Sequence, residues 1–151
     1  MDIRHPAWMA IAENELGEEE ISGPEANPRI VEYDAATTLK ATSDEVPWCS
    51  SFANWCIKQA RLLDSSINRE TRSAAAASWR QWGKELEFGC YGCIVVFDRV
   101  GGNHVAFYLS EDDTGVTVLG GNQGDAVSKA HFSWSAVTNF RWPTSWDIPT
   151  Q

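Results

Sequence analysis

Two residues in this chain combine a reactive side chain with a placement suited to covalent catalysis: Cys49, at the start of a helical pattern, and His104, at the start of a strand-like run. From Trp48 onward, Cys49, Phe52, Ala53, Cys56, Ile57 and Ala60 recur three and four apart, which is one helix face turned toward a core. First-turn N–H groups have no helical acceptor and the helix dipole favours an anion there, so Cys49 has an electrostatic route to a thiolate. Cys56, in the middle of the same helix, has none and reads as a core thiol. Cys49 itself is either a nucleophile or a second structural thiol.

His104 follows Gly101-Gly102-Asn103, a turn that leaves one side of a side chain accessible. A neutral imidazole beside Cys49 would take the thiol proton and make the pair act as one unit. The plainer reading is a strand histidine satisfied by a turn carbonyl. A catalytic histidine also needs a partner on its second nitrogen. Asn122, within Gly120-Gly121-Asn122-Gln123-Gly124, is the candidate orienter, although an Asn between glycines is equally a turn former. Gln123 is expected to point elsewhere if the strand continues, while still being able to offer a polar group to the site.

The remaining cysteines form Cys90-Tyr91-Gly92-Cys93. A structural zinc site normally takes four ligands and a second paired cluster, which this chain lacks. A thioredoxin-like pair would open a helix after a strand, whereas this one precedes a strand. Core or turn thiols are the favoured reading, with zinc or a functional disulfide as alternatives. Neither a phosphate-binding glycine loop nor an HExxH zinc motif is present, and no cofactor is expected.

Several elements must position these residues. Pro6, Trp8, Ile11, Ala12 and Leu16 predict a first helix ended by Gly17, and the glycine- and proline-punctuated polar stretch after it predicts a loop. Asn27-Pro28 reads as a cap and first-turn proline for a second helix reaching Thr38, followed by a loop over 42–45. The Cys49 helix comes next, then a helical segment over 73–81 that Gly83 ends. Apolar runs at 94–97, 104–109 and 116–119 predict strands, with turns at 98–102 and at Thr114-Gly115, and 126–133 and 136–142 add one or two more. Helices first and a mostly antiparallel sheet second give an α+β class rather than repeated βαβ units.

At 151 residues and 43% hydrophobic, the chain is expected to be one domain over 1–151, with its core at about 5–142. Its net charge of -9, from 21 acidic against 12 basic residues, argues against binding nucleic acid through phosphates. No apolar run is long enough for a membrane span, and the N-terminus lacks the pattern of a secretory signal. Reduced cysteines are the matching expectation.

The order Cys, His, Asn, carried by NPRIVEYDAATTLKATSDEVPWCSSFANWC, SAAAASW, IVVF, GGNHVAFYLSED and VTVLGGNQGDAVS, resembles the CHAP-like peptidoglycan hydrolases of the NlpC/P60 superfamily, in particular small phage and bacterial proteins with WCS and GGNQ motifs. The likeness runs from about His5 to Trp142. It implies a papain-like α+β fold, N-terminal helices on the sheet, Cys49 as nucleophile, His104 as base and then acid, and Asn122 as orienter. Related CHAP domains often carry a glutamate where this chain has Gly120, and GDIVVF where it has GCIVVF, so that Cys93 replaces an acid.

The implied activity is cysteine-dependent cleavage of an amide in or next to the peptidoglycan stem peptide, as an N-acetylmuramoyl-L-alanine amidase or an endopeptidase. Trp48, Trp82 and Gln123 are candidates to contact substrate. Peptidoglycan is then the partner, with an immunity protein as well if the chain is an antibacterial effector. Access to the wall would follow lysis, holin-type release or dedicated secretion. The alternatives are a catalytically silent wall-binding or interaction module, and a Cys-His deamidase or acyltransferase acting on another amide.

Overall fold

The computed structural model describes residues 5–21, 26–38, 48–99 and 102–149. Three helices, α1 (Ala7–Asn14), α2 (Pro28–Asp34) and α3 (Cys49–Leu63), precede a 3-10 helix (Ala76–Gln81) and a six-stranded sheet. The strands are β1 (Lys84–Leu86), β2 (Ile94–Arg99), β3 (Gly102–Asp112), β4 (Gly115–Gly120), β5 (Ser128–Ser133) and β6 (Val137–Trp142), with a second short 3-10 helix (Trp134–Ala136) before β6. Sheet order is β1-β6-β2-β3-β4-β5, with every pairing antiparallel. The α+β class with helices ahead of an antiparallel sheet is therefore the observed one. The expected loop over 42–45 and positions 100–101 of the expected turn lie outside the described residues.

Local chemistry explains the helix starts. Asn27 accepts the Arg29 N–H at 2.9 Å, and Pro28 occupies the first helical position. The second helix stops at Asp34, short of the expected Thr38. The segment over 73–81 forms only a 3-10 turn from Ala76. Ahead of it, Arg72 adopts a left-handed conformation (φ 61°), while the Ser73 carbonyl accepts hydrogen bonds from Ser50 and Asn54 of α3. These tertiary bonds capture residues that local propensity assigns to a helix. The short strand β1 was not expected; pairing with β6, Lys84 opposite Trp142, creates it.

The sheet is strongly curved. Strands β3 and β4 lie between β2 and β5, a separation of roughly 14 Å in a flat sheet, yet the rings of Phe97 on β2 and Phe132 on β5 are 4.5 Å apart. Helix α3 packs against β3 and β4, with Phe52 meeting Phe107 at 6.3 Å. Because side chains alternate along a strand, His104 and Ala106 point to the face opposite Phe107. His104 faces the concave interior, with its ring 5.9 Å from Phe97 and 5.3 Å from Phe132.

A tryptophan cluster ties α1 to the sheet. Trp8 stacks on Trp146 at 5.1 Å, meets Trp82 and Trp142 edge-on, and donates its indole N–H to the Gly92 carbonyl at 2.8 Å. Trp82 is buried in this cluster, and its own N–H donates to Arg69 O. The expectation that Trp82 lines a substrate groove is corrected accordingly: its ring is closed in by other indoles.

Candidate active site

Cys49 is the first residue of α3, following the N-cap Trp48, and is 8% exposed. The Trp48 side chain makes no cap hydrogen bond to the helix. Cys56 is completely enclosed. Burial first, and the Glu15 carboxylate second, push its thiol well above the ordinary value. The two cysteines share a helix face but not an environment.

His104 is wholly buried, and its Nε2 lies 2.9 Å from Gln123 Oε1. The Gln123 amide has a definite orientation because its Nε2 donates to the Ser128 carbonyl at 2.7 Å. The oxygen therefore faces the imidazole, Nε2 of His104 carries the proton, and Nδ1 is the basic nitrogen of the neutral ring. Gln123 is held further by its N–H on Ala126 O and by the Ser128 hydroxyl, which donates to Gln123 O at 2.8 Å.

The side chain hydrogen-bonded to His104 Nε2 is Gln123. Asn122, expected in that role, adopts a left-handed conformation (φ 56°) and makes the turn that swings Gln123 back over the sheet. Strand β4 ends at Gly120, so the alternation that would have sent Gln123 away from His104 no longer applies.

The paired glycines have separate jobs. A Cβ on Gly120 would sit 2.7 Å from Gln123 Oε1 and 2.8 Å from the Ala106 methyl, so any side chain there would evict the Gln123 amide. A Cβ on Gly121 would sit 2.6 Å from Phe52 Cβ and 2.8 Å from the Trp48 ring. One glycine admits the orienter on the concave face, and the other admits the start of α3 on the opposite face.

These contacts bring Cys49 and His104 to one end of the sheet, on elements joined through Gly121 and Gln123. The body of α3 packs on the Phe107 face of β3, opposite His104.

Trp48 is completely buried and donates its indole N–H to Glu20 Oε1 at 2.8 Å, which corrects its expected role as a substrate contact. Glu20 was missed because 17–21 reads as a polar loop. The loop instead lies alongside 125–127: Val127 N–H donates to Glu18 O at 2.8 Å and Glu20 N–H to Asp125 O at 2.9 Å. Beside His104, Asn103 accepts from the Arg80 guanidinium at 2.7 Å. Behind Cys49, Ser50 and Asn54 are buried, and Asn54 accepts the Arg72 N–H at 2.6 Å while donating to the carbonyls of Ser50 and Ser73, both at 3.0 Å.

An open depression of about 630 Å³ between β1, β6 and the turn before β6 is lined by Glu85, Glu87, Trp134 and Asn139 among others, none of them a residue of this constellation. Among the described residues, no three His, Cys, Asp or Glu side chains are grouped to hold a metal ion, and no helix is long and apolar enough to cross a membrane. Comparison with protein-family models, with curated proteins and with solved structures finds no match to this chain.

Proposed function

We propose that the protein is a cysteine-dependent hydrolase of the papain-like NlpC/P60 type that cleaves an amide in or next to the peptidoglycan stem peptide. The observation that carries this reading is the His104–Gln123 hydrogen bond, with its amide orientation set by Ser128, at the sheet end where α3 begins with Cys49. The resemblance of the WCS, GGNHV and GGNQ stretches to CHAP-like enzymes supplies the substrate class.

In this reading Cys49 Sγ gives its proton to His104 and attacks the amide carbonyl. The C–N bond breaks as His104 returns the proton to the departing amine, leaving a thioester on Cys49. Water then attacks the thioester, His104 removes its proton, and the acid product leaves as the thiol is restored. Gln123 holds the ring through both steps by keeping Nε2 protonated. Wall substrate would be reached after lysis, holin-type release or dedicated secretion, with an immunity protein as partner in the last case.

The test is mass spectrometry of purified peptidoglycan incubated with the wild type and with Cys49→Ala. Soluble fragments released by the wild type alone support hydrolysis, and their new termini name the bond. No fragments from either protein, across several wall chemistries, would refute it. A second reading, a silent binding module, is favoured by the closed state of the site, with His104 at 0% exposure. It predicts equal wall binding by both proteins and no cleavage. A deamidase or acyltransferase would use the same two residues and show itself by ammonia release or an acylated acceptor.

A further inference from the structure

Cys90 and Cys93 take no part in the chemistry above, yet they are the best-juxtaposed thiols in the described chain. Cys93 N–H donates to Cys90 O at 2.9 Å and Gly92 has φ 85°, so the four residues form a tight turn that needs glycine at its third position. Such a turn holds its first and fourth Cα atoms within about 7 Å, a separation that overlaps the range a disulfide bridges, up to about 6.8 Å. The Cys90 N–H already points at Cys93 Sγ, 3.5 Å away. The neighbouring Cys93 side chain lowers the Cys90 thiol below its ordinary value, while burial pushes Cys93 up.

The backbone of this turn is held from both sides. Gly92 N–H donates to Tyr108 O, Tyr108 N–H donates to Cys93 O, and the Trp8 indole donates to Gly92 O. Exposure divides the labour. Cys90 is half-buried, whereas Cys49, Cys56 and Cys93 are buried, so an oxidant meets Cys90 first and Cys93 waits behind it.

We propose that Cys90 and Cys93 form a reversible dithiol–disulfide site that takes a low-molecular-weight disulfide as its oxidant. The Cys90 thiolate attacks one sulfur of the small disulfide, forms a mixed disulfide and expels one small thiolate. Cys93 then attacks Cys90 Sγ, and the second small thiolate leaves, taking up the Cys93 proton. The protein loses two hydrogens and the oxidant gains them; excess small thiol reverses both steps. The proposal stands apart from amide hydrolysis, because Cys49 remains a thiol throughout.

The experiment treats the full chain with oxidised glutathione, denatures it in iodoacetamide and digests it with trypsin, which leaves both cysteines on the peptide between Lys84 and Arg99. The expected product is that peptide lighter by two hydrogens and unalkylated, restored by reduced glutathione, with Cys49 and Cys56 still alkylated. Cys93→Ser should accumulate the glutathione adduct on Cys90, and Cys90→Ser should form neither product. A glutathione adduct that persists on wild-type Cys90, or oxidation at Cys49 while the 85–99 peptide stays alkylated, overturns the proposal. Both overturning results are read on the wild type, so poor folding of a variant does not obscure them.

Discussion

Two polar regions meet at the first turn of α3, and they do opposite things. On one side Ser50 and Asn54 turn inward and are consumed: Asn54 binds Arg72 N–H and the Ser50 and Ser73 carbonyls, and Ser50 Oγ both donates to Ser73 O and accepts the Trp79 indole N–H at 2.9 Å. On the other side Cys49 begins the helix between Trp48 and Phe52, which pack on Gly121, two residues before the Gln123 that bonds His104. One residue of separation, about 100° around a helix, divides a structural staple from the proposed nucleophile. The Ser50–Asn54 cluster closes on backbone carbonyls, the Arg72 N–H and the Trp79 and Thr71 side chains, whereas the Gln123 cluster ends on an imidazole.

The sharpest break in this comparison is Cys49→Ala. It is expected to lower hydrolysis by about a thousandfold or more while thermal unfolding stays near that of the wild type. Loss of stability comparable to loss of activity would put Cys49 on the structural side. Asn54→Ala should do the reverse. It leaves the part-buried Arg72 N–H without its acceptor and removes one of two donors to the Ser73 carbonyl, and is expected to cost about 2 kcal/mol in denaturant unfolding, with the pH profile of the surviving activity unchanged.

Gln123→Ala tests the orienter. It should reduce kcat by about tenfold to a hundredfold, less than general acid–base catalysis as a whole supplies, and shift the pH profile because His104 loses the acceptor that sets its tautomer. An unshifted profile with only lower stability would reduce Gln123 to a packing residue. Asn122→Gly, which keeps the left-handed turn, should change little.

Cys56→Ala should cost only about 1 kcal/mol and leave activity intact. Its thiol is raised in the fold, so the unfolded chain ionises first, and stability falls as pH rises above the ordinary thiol value of 9.0. The alanine variant should lose that contribution in unfolding measured on both sides of this value. Asp112 gives the mirror case at acid pH. The Thr114 hydroxyl, then the Thr114 N–H, hold its carboxyl down at about 2, so its contribution is present above the ordinary carboxylate value and fades as pH falls toward 2. An NMR titration of Asp112 with an ordinary midpoint would remove that turn from the account.

The sequence by itself determined the helix that begins with Cys49, the placing of Cys56 on its buried face, a strand through His104 and the α+β order. All follow from period and capping, which are local. Only the tertiary structure decided the rest. Gln123 rather than Asn122 meets the His104 ring because a left-handed turn ends the alternation of β4, and because Gly120 leaves the space its amide fills. Trp48 and Trp82 became core because their indole N–H groups found Glu20 and Arg69 O, partners far away in sequence. The segment before Ala76 gave up its helix because its carbonyls were claimed by α3. Period and propensity report what a residue does with its near neighbours; which distant donor meets which acceptor is settled only when the sheet curls and the helices close over it.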